Sequence, residues 1–263
     1  MAERLREVGH RLPEPLQPLA KRAAVRARQI VDRRPVRWGS FRRLTPIGRW
    51  WGASRGQPVD RYYIDAFIGS NGERVTGAVL EVKEDLYASR FGHALTSVDI
   101  LDIDPGNPQA TVIADLGVPG ALATAAYDCI IVTQTLQFVE RLDIALASLW
   151  DALRPGGRLL ISLPCVSRLE PSLAEVECWR VLPAGLRRGL ERCCPGAQVV
   201  VEGRGNQLAA TAFLAGLATE DLRPDELDRD DPLCPLVTLG SATKPLTVPP
   251  PQHEPADQPR AGR

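Results

Sequence analysis

Residues 77–114, GAVLEVKEDLYASRFGHALTSVDILDIDPGNPQATVIA, decide the fold class because they contain three short apolar runs. The runs are GAVLEV at 77–82, SVDILDI at 97–103 and ATVIA at 110–114. Each has the length of a strand and is rich in Val or Ile, which favours strands over helices. Apolar runs with little polar alternation are typical of parallel strands that are buried on both faces. This stretch therefore predicts an α/β fold with a mostly parallel sheet.

The same alternation continues on both sides of this stretch. Upstream, the pattern predicts a helix over 59–69 with Asp60 as its N-cap. Downstream, a helix is predicted at 144–153, and Pro155-Gly156-Gly157 is expected to end it. The other predicted elements are strands at 128–133, 158–163 and 198–202, helices near 182–194 and 207–217, and a final edge strand at 236–242.

Charge divides the chain into unlike parts. Residues 1–59 hold 14 Lys+Arg against 4 Asp+Glu, a net +10, and residues 60–263 hold 18 against 28, a net −10. We expect a basic helical and irregular extension at 1–58, a Rossmann-like domain at 59–243 and a disordered, Pro-rich tail at 244–263. The acidic domain argues against nucleic acid as a partner. A basic helix predicted at 18–31 is expected to dock on the rest of this protein, with membrane-surface contact as the less favoured alternative.

Composition also predicts absences. The sequence has no apolar run of about 18 residues and no secretory signal pattern, so no transmembrane segment and a cytoplasmic location are expected. The six cysteines form no C-x-x-C pair and the three histidines are scattered, so no metal site is predicted.

Acidic and polar side chains follow successive predicted strands. Glu81 ends the first, Asp102 and Asp104 the second, Asp115 follows the third, and Thr133-Gln134 ends the fourth. In an open parallel sheet, ligands bind beyond the carboxyl ends of the strands, so these groups are expected to converge. Asp102 lies 21 residues after Glu81, the spacing at which an acid binds the two hydroxyls of a ribose. Asp is also common at strand ends for turn formation, which is the competing interpretation.

The ordered set of motifs resembles the class I S-adenosylmethionine-dependent methyltransferases. The motifs are VLEV at 79–82, VDILDIDPGNPQATVIADL at 98–116, YDCIIVTQTLQFV at 127–139 and LWDALRPGGRLLISLP at 149–164. With the upstream stretch RGQPVDRYYIDAFI, the chain is similar to a bacterial group often encoded near glycosyltransferases. The resemblance covers roughly residues 39–243 and implies the Rossmann-like class I methyltransferase fold, with S-adenosylmethionine as cofactor.

The resemblance also implies roles for matching residues. Glu81, directly or through water, would orient the cofactor's amino-acid moiety together with Val82 and Lys83. Asp102, with Asp104 as second choice, would hold the ribose hydroxyls. Asp115 and Leu116 would flank the adenine, and Thr133 and Gln134 would line the methionine side. A lid or substrate wall would include Arg61, Tyr62 and Tyr63, and Gln137 would also bind the substrate. For the tyrosines, packing of an aromatic helix face is the equal alternative.

Two departures from the family pattern bear on activity. Lys83 and Asp85 stand where the family has loop glycines, which allow positive φ and close approach to the ligand. Gln137 stands where related enzymes often have histidine. Lys83 would either pair with the cofactor's carboxylate or obstruct its pocket. The potential proton acceptors carry no signature for that role, so no catalytic base is assigned among Asp102, Asp104, Asp115 and His93.

The favoured hypothesis is therefore a methyltransferase that acts on an oxygen or nitrogen of a small molecule or sugar, in glycan or natural-product biosynthesis. A non-catalytic relative that uses the same fold for binding or as a scaffold is the alternative, since the glycine loop is rewritten. A nucleotide-dependent oxidoreductase is disfavoured because no G-x-G-x-x-G turn follows the first strand.

Overall fold

The computed structural model describes residues 39–246, so the predicted helix at 18–31 and the predicted tail from residue 247 onward lie outside the described residues. The chain divides into two compact units, Met1–Leu44 and Thr45–Arg263. In the described part of the first unit, Gly39–Phe41 forms a short 3-10 turn. The second unit begins before the predicted boundary at 58, because Ile47 and Gly48 donate backbone hydrogen bonds to Ala215.

The second unit alternates helices and strands. The helices are α1 Val59–Ser70, α2 Tyr87–Phe91, α3 Leu142–Ala152, α4 Pro183–Cys193, α5 Gln207–Ala215 and α6 Pro224–Leu227. The strands are β1 Gly77–Val82, β2 Leu95–Asp102, β3 Val112–Ile113, β4 Tyr127–Thr133, β5 Leu153–Pro164, β6 Gln198–Arg204 and β7 Val237–Thr243.

The seven strands form one sheet in the order β3-β2-β1-β4-β5-β7-β6. The pairs among β1 to β5 are parallel, whereas β7 is antiparallel to both β5 and β6. The prediction of an edge strand at 236–242 is wrong, because β7 lies between two partners and six of its seven residues are buried. β6, with a more exposed pattern, forms that edge of the sheet.

Two apolar clusters cover the two faces of the sheet. Along β1, Leu80 belongs to one cluster and Val79 to the other, as the alternation of side chains in a strand requires. The Leu80 cluster includes apolar residues of α3 and α4, and the Val79 cluster includes residues of α1, α2 and α5. The fold is therefore a three-layer, Rossmann-like α/β structure, as the sequence predicts.

Two local predictions need correction. The helix predicted to end at Pro155-Gly156-Gly157 ends at Ala152, and these three residues belong to β5, where Gly156 has a φ of 82°. The backbone N–H of Gly156 donates a hydrogen bond to the carbonyl of Lys244. This contact with a residue distant in the chain brings the turn sequence into the sheet. Asp60 is not the N-cap of α1: that position is Pro58, and Asp60 is buried in the first turn.

Candidate functional site

The candidate site lies at the carboxyl ends of β1 and β4. These strands are neighbours, with Glu81 opposite Ile131, yet the chain leaves them in opposite directions, towards β2 and β3 on one side and β5 on the other. Such a switch in strand order opens a crevice between the two outgoing loops, which is where open α/β sheets bind ligands.

Two non-glycine residues adopt left-handed backbone conformations directly after these two strands. Lys83 has a φ of 76° and Gln134 a φ of 47°. The Lys83 N–H donates to the carbonyl of Leu101 at 2.8 Å, and the Gln134 N–H donates to the carbonyl of Ser162 at 3.0 Å. The left-handed region costs an ordinary residue about 1–2 kcal/mol. Strain of this kind is frequent at functional sites, and here it falls on both sides of the switch point as well as at Trp50, Trp51, Ala94 and Ala125.

Glu81 is buried and its carboxylate faces the loop that follows β1. Its oxygens accept hydrogen bonds from the backbone N–H groups of Tyr87 and Ala88 at 2.8 Å and from Leu86 at 3.3 Å. Burial raises the pKa of Glu81 to about 7, although the three N–H donors act in the opposite direction. The side chain therefore holds residues 86–88 in place, and Lys83 takes a left-handed backbone conformation that glycine adopts more readily than other residues.

Asp102 is tied to the same loop through Asn107. The Asn107 amide donates to the carbonyl of Lys83 and to Oδ2 of Asp102, both at 2.7 Å, while Oδ1 of Asp102 accepts from the Asp104 N–H. Burial opposes ionisation of Asp102, but these donors and the nearby Lys83 charge outweigh it and lower its pKa. Each carboxylate oxygen keeps a lone pair for a further donor. Sequence analysis missed Asn107, whose only signal is the turn sequence Asp-Pro-Gly-Asn.

The other acids predicted for the cofactor lie in turns next to Asp102. Asp104 accepts from the Gly106 N–H at 2.8 Å, and Asp115 accepts from the Gly117 N–H at 2.7 Å through Oδ1. Both side chains are exposed. Leu116 is buried in the apolar core. The register of β2 and β3, with Asp102 opposite Ile113, brings the two turns to the same edge of the sheet.

The residues after β4 form a short 3-10 turn, Leu136–Phe138. The side-chain amide of Gln137 donates to the carbonyl of Gln134 at 2.9 Å, which fixes the strained residue from inside the turn. Oε1 of Gln137 is buried and has no hydrogen-bond partner among residues 39–246. A buried acceptor of this kind is open to a hydrogen bond from a water molecule or from a ligand. Ser162, which sequence analysis missed, accepts from the Gln134 N–H through both its carbonyl and its hydroxyl.

The three predicted residues of α1 make different contacts. Tyr63 is fully buried and donates its hydroxyl to the carbonyl of Leu227, and Tyr62 donates to Asp228 at 2.5 Å. These bonds pack the aromatic face of α1 against the chain around α6. Arg61 instead donates a hydrogen bond of 2.9 Å to the hydroxyl of Tyr87, and the backbone N–H of Tyr87 donates to Glu81.

Within residues 39–246, no group of three or more His, Cys, Asp or Glu side chains is arranged to hold a metal ion. No helix in the same part of the chain is both long and apolar enough to cross a membrane. The described cysteines are all free thiols.

No protein-family model matches the sequence, and no curated protein sequence matches it. Similar solved structures include several S-adenosylmethionine-dependent methyltransferases. The complex between the Haloferax volcanii Trm112 methyltransferase activator and a putative methyltransferase contains a chain that is 14% identical, covers 74% of this chain and 98% of its own, and has a TM-score of 0.47.

Two further similar structures differ in what they do. Phosphoethanolamine N-methyltransferase 2 from Haemonchus contortus, in complex with S-adenosyl-L-methionine, is 14% identical over 79% of this chain and 55% of its own, with a TM-score of 0.45. The 4+2 cyclase SpnF is 16% identical over 78% of this chain and 88% of its own, with a TM-score of 0.47.

Proposed function

We propose that this chain is an S-adenosylmethionine-dependent methyltransferase that acts on an oxygen or nitrogen of a small molecule or sugar. The observation that carries the proposal is the pair of strained residues, Lys83 and Gln134, on the two sides of the switch point between β1 and β4. Asp102 completes the arrangement, because Asn107 ties it to the carbonyl of Lys83.

The donor and acceptor groups at this edge suit the cofactor. Asp102 would accept hydrogen bonds from both ribose hydroxyls, since each of its oxygens has one remaining lone pair. Oδ2 of Asp115 accepts no hydrogen bond within residues 39–246 and would accept from the adenine amine. Glu81 would act on the cofactor through the loop it holds, together with Val82 and Lys83. The exposed ammonium group of Lys83 is available to the cofactor's carboxylate.

The methyl-transfer side would be formed by Thr133, Gln134 and Gln137. When bound, the cofactor supplies an activated sulfonium methyl group, so the protein's task is mainly to position the acceptor and exclude water. The orphan Oε1 of Gln137 would accept a hydrogen bond from the acceptor's hydroxyl or amine and orient its lone pair. No residue is assigned as a catalytic base.

Calorimetric titration with S-adenosylmethionine tests the proposal directly. We expect binding to the unmodified chain, and at least about tenfold weaker binding after Asp102→Asn, because the lost charge weakens both ribose hydrogen bonds. Asp99→Asn is the matched control: Asp99 is on the same strand but bonds to Thr111 and Tyr127, away from the strand end. Folded protein that releases no heat with the cofactor would overturn the proposal.

A non-catalytic binding protein is the second candidate, and the rewritten loop favours it because Lys83 and Asp85 replace glycines. Cofactor binding alone does not separate the two. Slow conversion of S-adenosylmethionine to S-adenosylhomocysteine in the presence of a panel of small alcohols, amines and sugars would support the enzyme. Tight cofactor binding with no conversion across the panel would favour the binding protein.

A further inference from the structure

Arg168 lies just beyond β5, on the side of the sheet where the candidate site is found, and it has no counter-charge within residues 45–246. β5 is parallel to β4 and ends at Pro164, with its Ser162 opposite Thr133. The chain then continues through two backbone hydrogen bonds, from Cys165 and Val166 to Leu236, before it reaches Arg168. Arg168 thus follows the strand next to the one that carries Gln134.

The guanidinium of Arg168 forms no hydrogen bond and no ion pair within residues 45–246. Its Nε is buried without a partner, and burial alone lowers the pKa of this arginine. Arg180, which donates to the carbonyl of Arg168, differs because it pairs with Glu177 at 2.7 Å. A half-buried cation without a counter-charge is costly unless something pairs with it.

The surroundings hold Arg168 in place rather than neutralise it. Its guanidinium lies 5.4 Å from the centre of the Trp51 ring, and the Trp51 indole N–H donates to Ser167 at 3.1 Å. The carbonyl of Arg168 accepts from the Ser167 hydroxyl at 2.9 Å. Trp51 itself has a φ of 53°, which is a strained conformation for a bulky residue. The Trp51 ring and the hydrogen-bonded backbone therefore hold the planar guanidinium group of Arg168, with its N–H donors, in a fixed position.

We infer that Arg168, on the platform of Trp51, binds an anionic group of the methyl acceptor, either a carboxylate or a phosphate. Arginine binds both groups through two parallel N–H···O bonds, which lysine cannot form. The inference rests on the proposed function, and it narrows the substrate class from any small molecule or sugar to one that carries negative charge. Arg168 would set substrate specificity and position the methyl acceptor. It would not contact the atoms between which the methyl group is transferred.

Calorimetric titration of the full chain with phenyl phosphate and, separately, with benzoate at low ionic strength tests the inference and distinguishes the two anions. We expect at least one of them to bind, and to bind about tenfold or more weakly after Arg168→Gln. Arg168→Lys keeps the charge but removes the fork, so we expect an intermediate loss. Arg141→Gln is the matched control, because it removes the same charge from an exposed arginine paired with Asp143.

Titration of the same proteins with S-adenosylmethionine separates this inference from the proposed function. Arg168→Gln is expected to leave cofactor affinity within about twofold, since Arg168 lies on the acceptor side. Cofactor binding without binding of either anion, or equal anion binding by the unmodified chain and Arg168→Gln, overturns the inference alone. Anion binding that depends on Arg168 without any cofactor binding overturns the assignment to a methyl acceptor. Circular dichroism of each variant verifies that it is folded.

Discussion

Two loops of this protein use left-handed backbone in opposite ways. At the end of α5, Gly216 has a φ of 73°, and a Cβ atom there would lie 2.2 Å from the carbonyl oxygen of Gly48. A Cβ on Gly48 would in turn lie 1.9 Å from the carbonyl oxygen of Gly216. After β1, Lys83 has nearly the same backbone angle, 76°, but carries a full side chain that is exposed.

The difference between Gly216 and Lys83 separates two reasons why a position requires glycine, a positive φ and a lack of space for a side chain. At Gly216, both the backbone angle and the close approach of a second chain segment exclude a side chain. At Lys83, only the angle is demanding, and the hydrogen bonds of Glu81 and Asn107 around the loop maintain it. A loop without glycines can therefore keep a glycine-like backbone where its side chains face solvent, for a cost of about 1–2 kcal/mol.

The largest expected effect is that of Gly216→Ala. The left-handed angle costs about 1–2 kcal/mol, and the overlap with the Gly48 carbonyl adds about 1–3 kcal/mol. We expect the free energy of unfolding to fall by about 3 kcal/mol in denaturant titration.

Gly120→Ala is the control for that change. Gly120 has a φ of 71° and nothing within 4 Å of its Cβ position, so only the cost of the angle remains. We expect a loss of about 1 kcal/mol for this variant. Equal losses for the two variants would show that the Gly48–Gly216 approach has no energetic weight.

An effect of similar size is the pH dependence that Glu81 contributes. Its pKa in the folded protein is about 7, against an ordinary value of 4.5, so folding takes up a proton between these values. The stabilisation by Glu81 is complete below about pH 4.5 and is lost as the pH rises through 7. The change amounts to about 3 kcal/mol at 1.36 kcal/mol per pKa unit.

Glu81→Gln removes this titration while it keeps the side-chain size. Unfolding free energies of both proteins, measured from pH 4.5 to 8, isolate the contribution of Glu81 as the change in their difference. The unmodified chain should lose stability relative to the variant across this range. Parallel profiles would show that the three N–H donors hold the pKa of Glu81 near its ordinary value.

The smallest effect is expected for Lys83→Gly. Glycine relieves the strained angle but gains freedom in the unfolded chain, so we expect stabilisation of less than about 1 kcal/mol. Ala94→Gly is the matched control, because Ala94 has a φ of 48° at the amino end of β2, away from the candidate site. Affinity for S-adenosylmethionine should fall by up to about fivefold in Lys83→Gly, because an exposed ion pair contributes up to about 1 kcal/mol, and should stay unchanged in Ala94→Gly. A tenfold gain in Lys83→Gly alone would show that the lysine obstructs the pocket.

Local patterns were sufficient for most of the fold. β1 has the predicted bounds, and β4 and α5 differ from their predictions by one or two residues. Each was marked by an apolar run that must be buried whatever its partners are. β3 is shorter than predicted, Val112–Ile113 instead of 110–114, because only these residues pair with β2. The candidate site residues remain predictions, although the topology brings their strand ends to one edge.

The amino-acid sequence by itself determined the alternation of helices and strands, the parallel sheet and the polar residues at its carboxyl edge, since these depend on local hydrophobic pattern and turn chemistry. Only the tertiary structure decided that β7 lies between β5 and β6, that Lys83 takes a glycine-like angle, and that Arg168 meets Trp51. Each depends on contacts between segments distant in the chain. Such contacts leave no periodic signal in the sequence, because pairing and close approach are selected by the assembled core rather than by neighbouring residues.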